Sequence, residues 1–437
     1  MMLSGLRRLA WAFLLGGLSA VAVGAEPAQG LTSSSSDLAQ LTLRQAEIFF
    51  VERNRELLAG QRLVEGAEAD RITAGQRPNP NLSFNTSPLN PHSGVGSGDL
   101  RSKQVGSTVA LQQLFERGNK RELRIDAAEQ NVRASRGEFA DIQRQQKVAL
   151  YGAYYDLVAA QDRQRISTET AALFQKTIDA VELRLKAGDI ARSEVARIRV
   201  DALRAQNDAR AAQAEREKAQ SVLGYMIGAD RDAMRIVAVD GFPDVNGDGS
   251  AFDVEKALAG RADVQAAQAR IAAAEKNREL ARALRTRDVT GSIQFQHYPP
   301  DFANNTFGVG VSVPLFTSYY FEGEIRRAEV DLQSARDNLE RVRALALGEI
   351  ARSRADLDAA IERVRRFRGT LLGEAQRAAE GAEFAYSKGA IGVLDLLDAR
   401  RQLYATRLEA SSTLADYAKS LAAWNAAITG ATLEAKP

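Results

Sequence analysis

Between Tyr386 and Ile428 the apolar positions recur at helical spacing. Leu396, Leu403, Ala410, Tyr417 and Trp424 stand seven apart, and Ala399, Thr406, Thr413, Ser420 and Ala427 form a second stripe three residues further on. Together they make the a and d seam of a helix lying along partner helices. The small residues of the second stripe let neighbouring backbones come close. Just before this helix, Ser387-Lys388-Gly389-Ala390 reads as a glycine turn, and Asp395 and Asp398 follow one helical turn apart on one face.

A second pattern has period two. Leu82 and Phe84 alternate with Asn81, Ser83 and Asn85, and Val105, Val109 and Leu111 alternate with polar neighbours. Further on, Val289, Ile293 and Phe295 alternate, as do Phe307, Val309, Val311 and Val313. Such runs, with glycines on the other face, fit strands of a transmembrane barrel, and they equally fit hairpins on a soluble sheet.

Proline separates these regions. None occurs from His92 through Phe242 or from Leu315 through Lys436, while eight of the ten lie at 78–91, at 243 and at 299–314 and the other two are Pro27 and Pro437. Proline costs a helix interior about 3 kcal/mol, so its absence permits very long helices. The two proline-free intervals read as copies. Leu114-Phe115 matches Leu315-Phe316 and Gly188 matches Gly389, both 201 apart; Ala46 matches Ala257 and Phe84 matches Phe295, both 211 apart. The difference places about ten extra residues in the first copy, at a surface loop containing Ser87-Pro88-Leu89-Asn90-Pro91.

Each copy is expected to hold an alanine-rich helix (about 40–76, then 252–286), two strands, a helix of some 65 residues, a glycine turn and a return helix. Residues 26–239 form the first repeat, 240–251 a linker, 252–430 the second repeat and 431–437 a tail. Four strands cannot close a barrel, because the smallest membrane barrels need about eight. The stretch from Asn119 to Leu185 would span roughly 100 Å as a helix. Both features require partner chains.

Composition narrows the rest. The 437 residues are 26% charged and 6% aromatic, with a formal net charge of +2, which suits long packed helices and gives no sign of nucleic-acid binding. There is no cysteine, so disulfides, zinc–thiolate sites and a lipid-modified N-terminal cysteine are excluded. His92 and His297 are far apart, which argues against a histidine-rich metal site. Arg7 and Arg8 precede an apolar run from Leu9 to Val23, so residues 1–25 read as a signal peptide cut after Ala25. No later segment is apolar enough for a spanning helix. Asp244, Asn246, Asp248, Ser250 and Glu255 satisfy the spacing of a calcium loop, but Gly241 and Pro243 stand where its entering helix belongs, and a linker turn is the expected reading. No phosphate loop, nucleophile elbow or catalytic metal cluster is visible, so neither enzyme activity nor a cofactor is expected.

The twin strand-to-helix passages VGSTVALQQLFERGNKRELRIDAAE and FGVGVSVPLFTSYYFEGEIRRAEVD resemble the TolC-type outer-membrane efflux proteins. The twin helix tips LRLKAGDIARSEVARIRVD and FAYSKGAIGVLDLLDARRQLY carry the same resemblance, which covers about residues 40–430. It implies a mainly α fold with a membrane β-barrel: a long-helix α-barrel continuous with a 12-stranded β-barrel shared by a homotrimer, four strands per chain. It further implies an outer-membrane exit channel with a long periplasmic extension. Its partners would be outer-membrane lipid, a periplasmic adaptor protein and an inner-membrane efflux transporter of the resistance-nodulation-division type.

The resemblance also assigns residues. Asp395 and Asp398 match paired aspartates that narrow the periplasmic aperture, and Tyr386 matches a tyrosine that helps hold it closed. Ile391 stands where well-described relatives carry a latch arginine. Glu194 and Arg197 occupy the equivalent places on the first tip, which lacks the acidic pair. The turns at Lys186, Ala187, Gly188 and Asp189 and at Ser387, Lys388, Gly389 and Ala390 become the adaptor contacts. Phe115-Glu116-Arg117-Gly118-Asn119-Lys120-Arg121 is similar to a passage of cobalt–zinc–cadmium efflux components, which favours heavy-metal cations as cargo. A drug-efflux or type I secretion channel, and a periplasmic coiled-coil scaffold or adhesin, are the competing readings.

Overall fold

The computed structural model describes residues 38–86, 106–245, 253–297 and 305–428. The residues read as a signal peptide, His92 with the stretch around it, Val105, residues 246–251 of the linker and the tail lie outside the described residues.

Helices dominate, and the order of elements runs twice. Helices α1 (Leu43–Arg53) and α2 (Arg55–Ala74) lead to strands β1 (Asn81–Thr86) and β2 (Ser107–Phe115), then to α3 (Lys120–Ala187) and α4 (Arg192–Met226). Helices α5 (Val254–Gly260) and α6 (Ala262–Ala283) lead to β3 (Val289–His297) and β4 (Thr306–Ser312), then to α7 (Glu322–Arg366), α8 (Leu372–Ser387) and α9 (Val393–Ile428). With 68 residues, α3 is about 100 Å long at 1.5 Å per residue. No described helix is long and apolar enough to cross a membrane.

Three expected helices are interrupted. The leading helices each break at one residue with extended backbone, Asn54 and Arg261. Asn54 is an N-cap: its Oδ1 accepts from Glu56 N at 3.0 Å and Leu57 N at 3.1 Å, while its Nδ2 donates to Met226 O. These bonds satisfy the first amides of α2 and stop α1. In the second half, the long helix becomes a π-helical turn over Phe367–Leu371 between α7 and α8. One extra residue in that turn shifts the phase of the helix face, which a pure 3.6 periodicity does not register.

The four strands form one antiparallel sheet in the order β1-β2-β3-β4. Its register puts Phe84 opposite Val109, Val109 opposite Phe295 and Phe295 opposite Phe307. The next apolar row is Leu82, Leu111, Ile293 and Val309. All of these side chains are exposed, from 40% at Val109 to 78% at Val309. The other face carries Ser83, Ala110, Gln294 and Gly308 in one row. The sheet is therefore apolar on one side and polar or small on the other, and β1 and β4 have free edges.

The helices pack around separate cores rather than one. At mid-length, Leu150, Tyr154 and Leu157 of α3 bury against Leu41, Leu57, Leu223 and Ile227. The Tyr154 hydroxyl donates to Leu41 O at 3.0 Å. On the other side, Ile350, Leu357, Ala360 and Val364 of α7 meet Tyr417, Trp424 and Ala427 of α9. Every position of the two α9 stripes is buried or half-buried.

Between these cores lies a buried charge network. Arg261 is 1% exposed; it donates to Asp263 at 2.8 and 3.0 Å, to Glu349 at 2.7 Å and to Ala427 O at 3.3 Å. Glu349 also accepts from Arg144 of α3 at 2.6 Å. Burial pushes the Asp263 and Glu349 carboxyls up, but hydrogen bonds and charge from the arginines outweigh it and hold both below the usual carboxylate range. Four elements (α3, α6, α7 and the end of α9) are tied at this one point.

Candidate aperture at the hairpin tips

Both hairpins turn with the same hydrogen bonds. At the first tip Gly188 N donates to Leu185 O at 3.1 Å and Asp189 N to Arg184 O at 2.9 Å. At the second, Gly389 N donates to Tyr386 O at 2.9 Å and Ala390 N to Ala385 O at 2.9 Å. This is the Schellman pattern, which needs a left-handed residue where the helix stops. Gly188 and Gly389 supply it, with φ of 85° and 73°. A Cβ at either position would touch nothing, so the backbone angle alone accounts for glycine there. Lys186, Ala187, Gly188, Asp189, Ser387, Lys388, Gly389 and Ala390 are all exposed.

Behind the turns, an apolar cluster joins the hairpins. Phe174, Ile178 and Val181 of α3, Val195, Ile198, Ala202 and Ala205 of α4, and Val393 and Leu397 of α9 are buried together. Tyr386 packs against this cluster, and its hydroxyl accepts from Arg184 Nη1 at 3.1 Å. An arginine thus meets Tyr386, but it comes from α3 and not from position 391.

Asp395 and Asp398 are both exposed and differ in their contacts. Asp395 is the third residue of α9, and its Oδ2 accepts from Gly392 N at 3.2 Å, which helps satisfy the helix start. Asp398 accepts from Arg401 Nη1 at 2.6 Å. The other arm of Arg401 is hydrogen-bonded to Asp201 of α4. A groove of about 490 Å³ runs between α4 and α9, lined by Arg197, Val200, Asp201, Arg204, Asp398 and Arg401 among others. Asp201, Arg184 and Arg401 are the residues that sequence reasoning missed. The one signal for them was Asp201 itself, a carboxylate beside the apolar positions Ile198 and Ala202.

The Phe115–Arg121 passage holds the sheet to the helices. Gly118 and Asn119 are left-handed, with φ of 72° and 60°. A Cβ at Gly118 would come within 2.7 Å of Thr286. Lys120, buried, donates to Thr286 O at 2.8 Å and to both Asp288 oxygens at 2.9 Å. Arg124 clasps Glu116 with two bonds, at 2.5 and 2.8 Å. The second long helix also starts after a left-handed residue, Phe321, with φ of 62°.

Among the described residues no group of three or more His, Cys, Asp or Glu could hold a metal ion. His297 ends β3, its Nδ1 2.7 Å from Asn305 Oδ1. In the calcium-like stretch, Asp244 is exposed, residues 241–245 are not helical, and Glu255 sits in the first turn of α5. Its middle residues lie outside the described ones.

The profile of the outer membrane efflux protein family matches residues 50–229 and 254–430. The chain belongs to this family. It is an outer-membrane efflux channel, not an enzyme. It is 22% identical over 375 residues to the cobalt-zinc-cadmium resistance protein CzcC of Cupriavidus metallidurans, which covers 84% of this chain and 85% of that protein. The fold is similar to the Campylobacter jejuni CmeC outer membrane channel, with a TM-score of 0.77 at 15% identity over 92% of this chain and 88% of that one. It is also similar to the outer membrane protein VceC of Vibrio cholerae, with a TM-score of 0.72 at 20% identity over 89% and 96% of the two chains.

Proposed function

We propose that three copies of this channel chain assemble into one duct that exports heavy-metal cations across the periplasm and outer membrane. The observation that carries the assembly is the sheet. It has two free edges and one face of exposed apolar side chains, and lipid tolerates neither an open edge nor an unclosed sheet. Three such sheets, joined β1 to β4, give a closed barrel of twelve strands with the apolar face toward lipid. The helices continue the wall as a tunnel. The chain arose by internal duplication, a reading supported by the repeated element order and by two tips with the same hydrogen bonds 201 residues apart.

The free end of the tunnel is the hairpin tips. Lys186–Asp189 and Ser387–Ala390 contact a periplasmic adaptor, which joins the duct to an inner-membrane transporter of the resistance-nodulation-division type. Leu183 and Phe384, at equivalent places one turn before the two glycines, are strongly exposed apolar groups available for that contact. Asp395 and Asp398 from three chains ring the aperture, where a focused negative field favours cations. Tyr386, held by Arg184, keeps it narrow. The cargo assignment rests on the kinship with CzcC and on the Phe115–Arg121 passage.

Two measurements test this reading. Purified protein added to planar bilayers should give discrete conductance steps and migrate as a trimer; a soluble monomer without pores would make it a periplasmic scaffold. A strain lacking the gene should lose tolerance to zinc, cobalt and cadmium. Unchanged metal tolerance, with new sensitivity to drugs, would reassign the cargo.

A further inference from the structure

The two aperture aspartates carry the same formal charge but do not stand in the same electrostatic situation. The polar contact of Asp395 is a backbone amide at the start of α9, and no side-chain cation pairs with it among the described residues. Asp398, at 71% side-chain exposure, is paired with Arg401. That guanidinium is not free to leave. Its second arm holds Asp201, whose side chain is only 9% exposed, and a buried carboxylate stripped of its partner is strongly destabilised. The strained arrangement would be the one with Arg401 swung away, so the arginine stays anchored on the α4 side and keeps Asp398 occupied. Arg197 and Arg204 of α4 line the same groove and add positive charge beside it.

We infer that Arg401 sets the cation affinity of the aperture: it acts as a built-in counter-ion that silences Asp398, leaving Asp395 as the working acidic ring. The inference rests on the assignment of Asp395 and Asp398 to the aperture. A divalent cation entering from the periplasm meets one carboxylate per chain that has no arginine on it, not two. That arrangement suits passage. Two open rings one turn apart would hold a divalent ion from both sides, and conduction requires a site weak enough to leave. Arg401 is thus a specificity-determining residue that works through Asp398, and Asp201 is the residue that positions it.

The test is block of single-channel current in planar bilayers by cobalt(II) chloride on the periplasmic side, read as the half-blocking concentration. Asp395→Asn should raise that concentration about tenfold. Asp398→Asn should raise it less than Asp395→Asn does. Arg401→Gln, which frees Asp398, should lower it at least threefold, and adding Asp398→Asn to Arg401→Gln should abolish that gain. If Arg401→Gln fails to assemble, the pair Asp201→Asn with Arg401→Gln leaves no buried carboxylate unpaired and carries the same expectation. Block that is unchanged or weakened in the Arg401 variants, while Asp395→Asn still relieves it, overturns the role of Arg401 and spares the aperture. No block in the unaltered channel, or none relieved by Asp395→Asn, overturns the aperture assignment and this inference with it.

Discussion

The two hairpin tips share a backbone and differ in chemistry. Each stops its first helix with a left-handed glycine and the same pair of amide bonds, and each starts its second helix four residues after that glycine, at Arg192 and Val393. Beyond the turn they part. Where the second tip has Asp395 and Asp398, the first has Glu194 and Arg197, and its inward carboxylate, Asp201, serves to hold an arginine of the other hairpin. Turn geometry depends on one glycine and on backbone bonds, so the flanking charges are free to diverge. One tip can then hold the two hairpins together while the other presents the carboxylates proposed for the aperture.

The sharpest break would come from the shared apolar cluster. Leu397 and Ile198 are fully buried there, one from each hairpin, and truncating either to alanine should cost about 3 kcal/mol, read as reduced heat resistance of the assembled channel in detergent. A loss confined to one of them would mean that the hairpins are stabilised separately. Next in size is the charge contrast. Asp395→Asn should lower cation-over-anion permeability several-fold in reversal-potential measurements, whereas Glu194→Gln should leave it within error. Equal effects would remove the distinction between the tips.

The glycines should behave alike. Gly188→Ala and Gly389→Ala each force a Cβ into left-handed backbone, at about 1 kcal/mol, and thermal unfolding of the two variants should match. A much larger loss at one would reveal a contact made only in the assembly. The smallest effect expected is that of Tyr386→Phe, which removes one exposed hydrogen bond from Arg184, worth about 0.5–1 kcal/mol, and should raise the open probability modestly.

What the sequence revealed follows from where its signals are periodic. The α9 seam from Leu396 to Trp424 is inward-facing along its whole length, because a seven-residue repeat ties burial to position. The alternating strands and the two glycine turns were equally legible, since each depends on residues a few places apart. Asn54 was harder to see: a buried asparagine that caps one helix by ending another leaves the apolar pattern intact. The network of Arg144, Arg261, Asp263 and Glu349 was invisible, and so was Arg401 with Asp201. Their partners lie on different helices, and an ion pair between distant segments leaves no periodic trace. At the second tip the pair Asp395 and Asp398 could be read from the sequence, but the arginine paired with Asp398 could not.

The pairing of β2 with β3 also dictates an order of events. It joins Phe115 to Val289 and Ser107 to His297, so these strands come from opposite halves of the polypeptide. The helical hairpins close through near neighbours and can form while the chain is still emerging, whereas the sheet must wait for the second half to arrive. Until then its strands offer bare edges and greasy side chains to any other polypeptide nearby. Escort during secretion, or prompt delivery to the bilayer, is therefore a requirement written into the connectivity of this molecule.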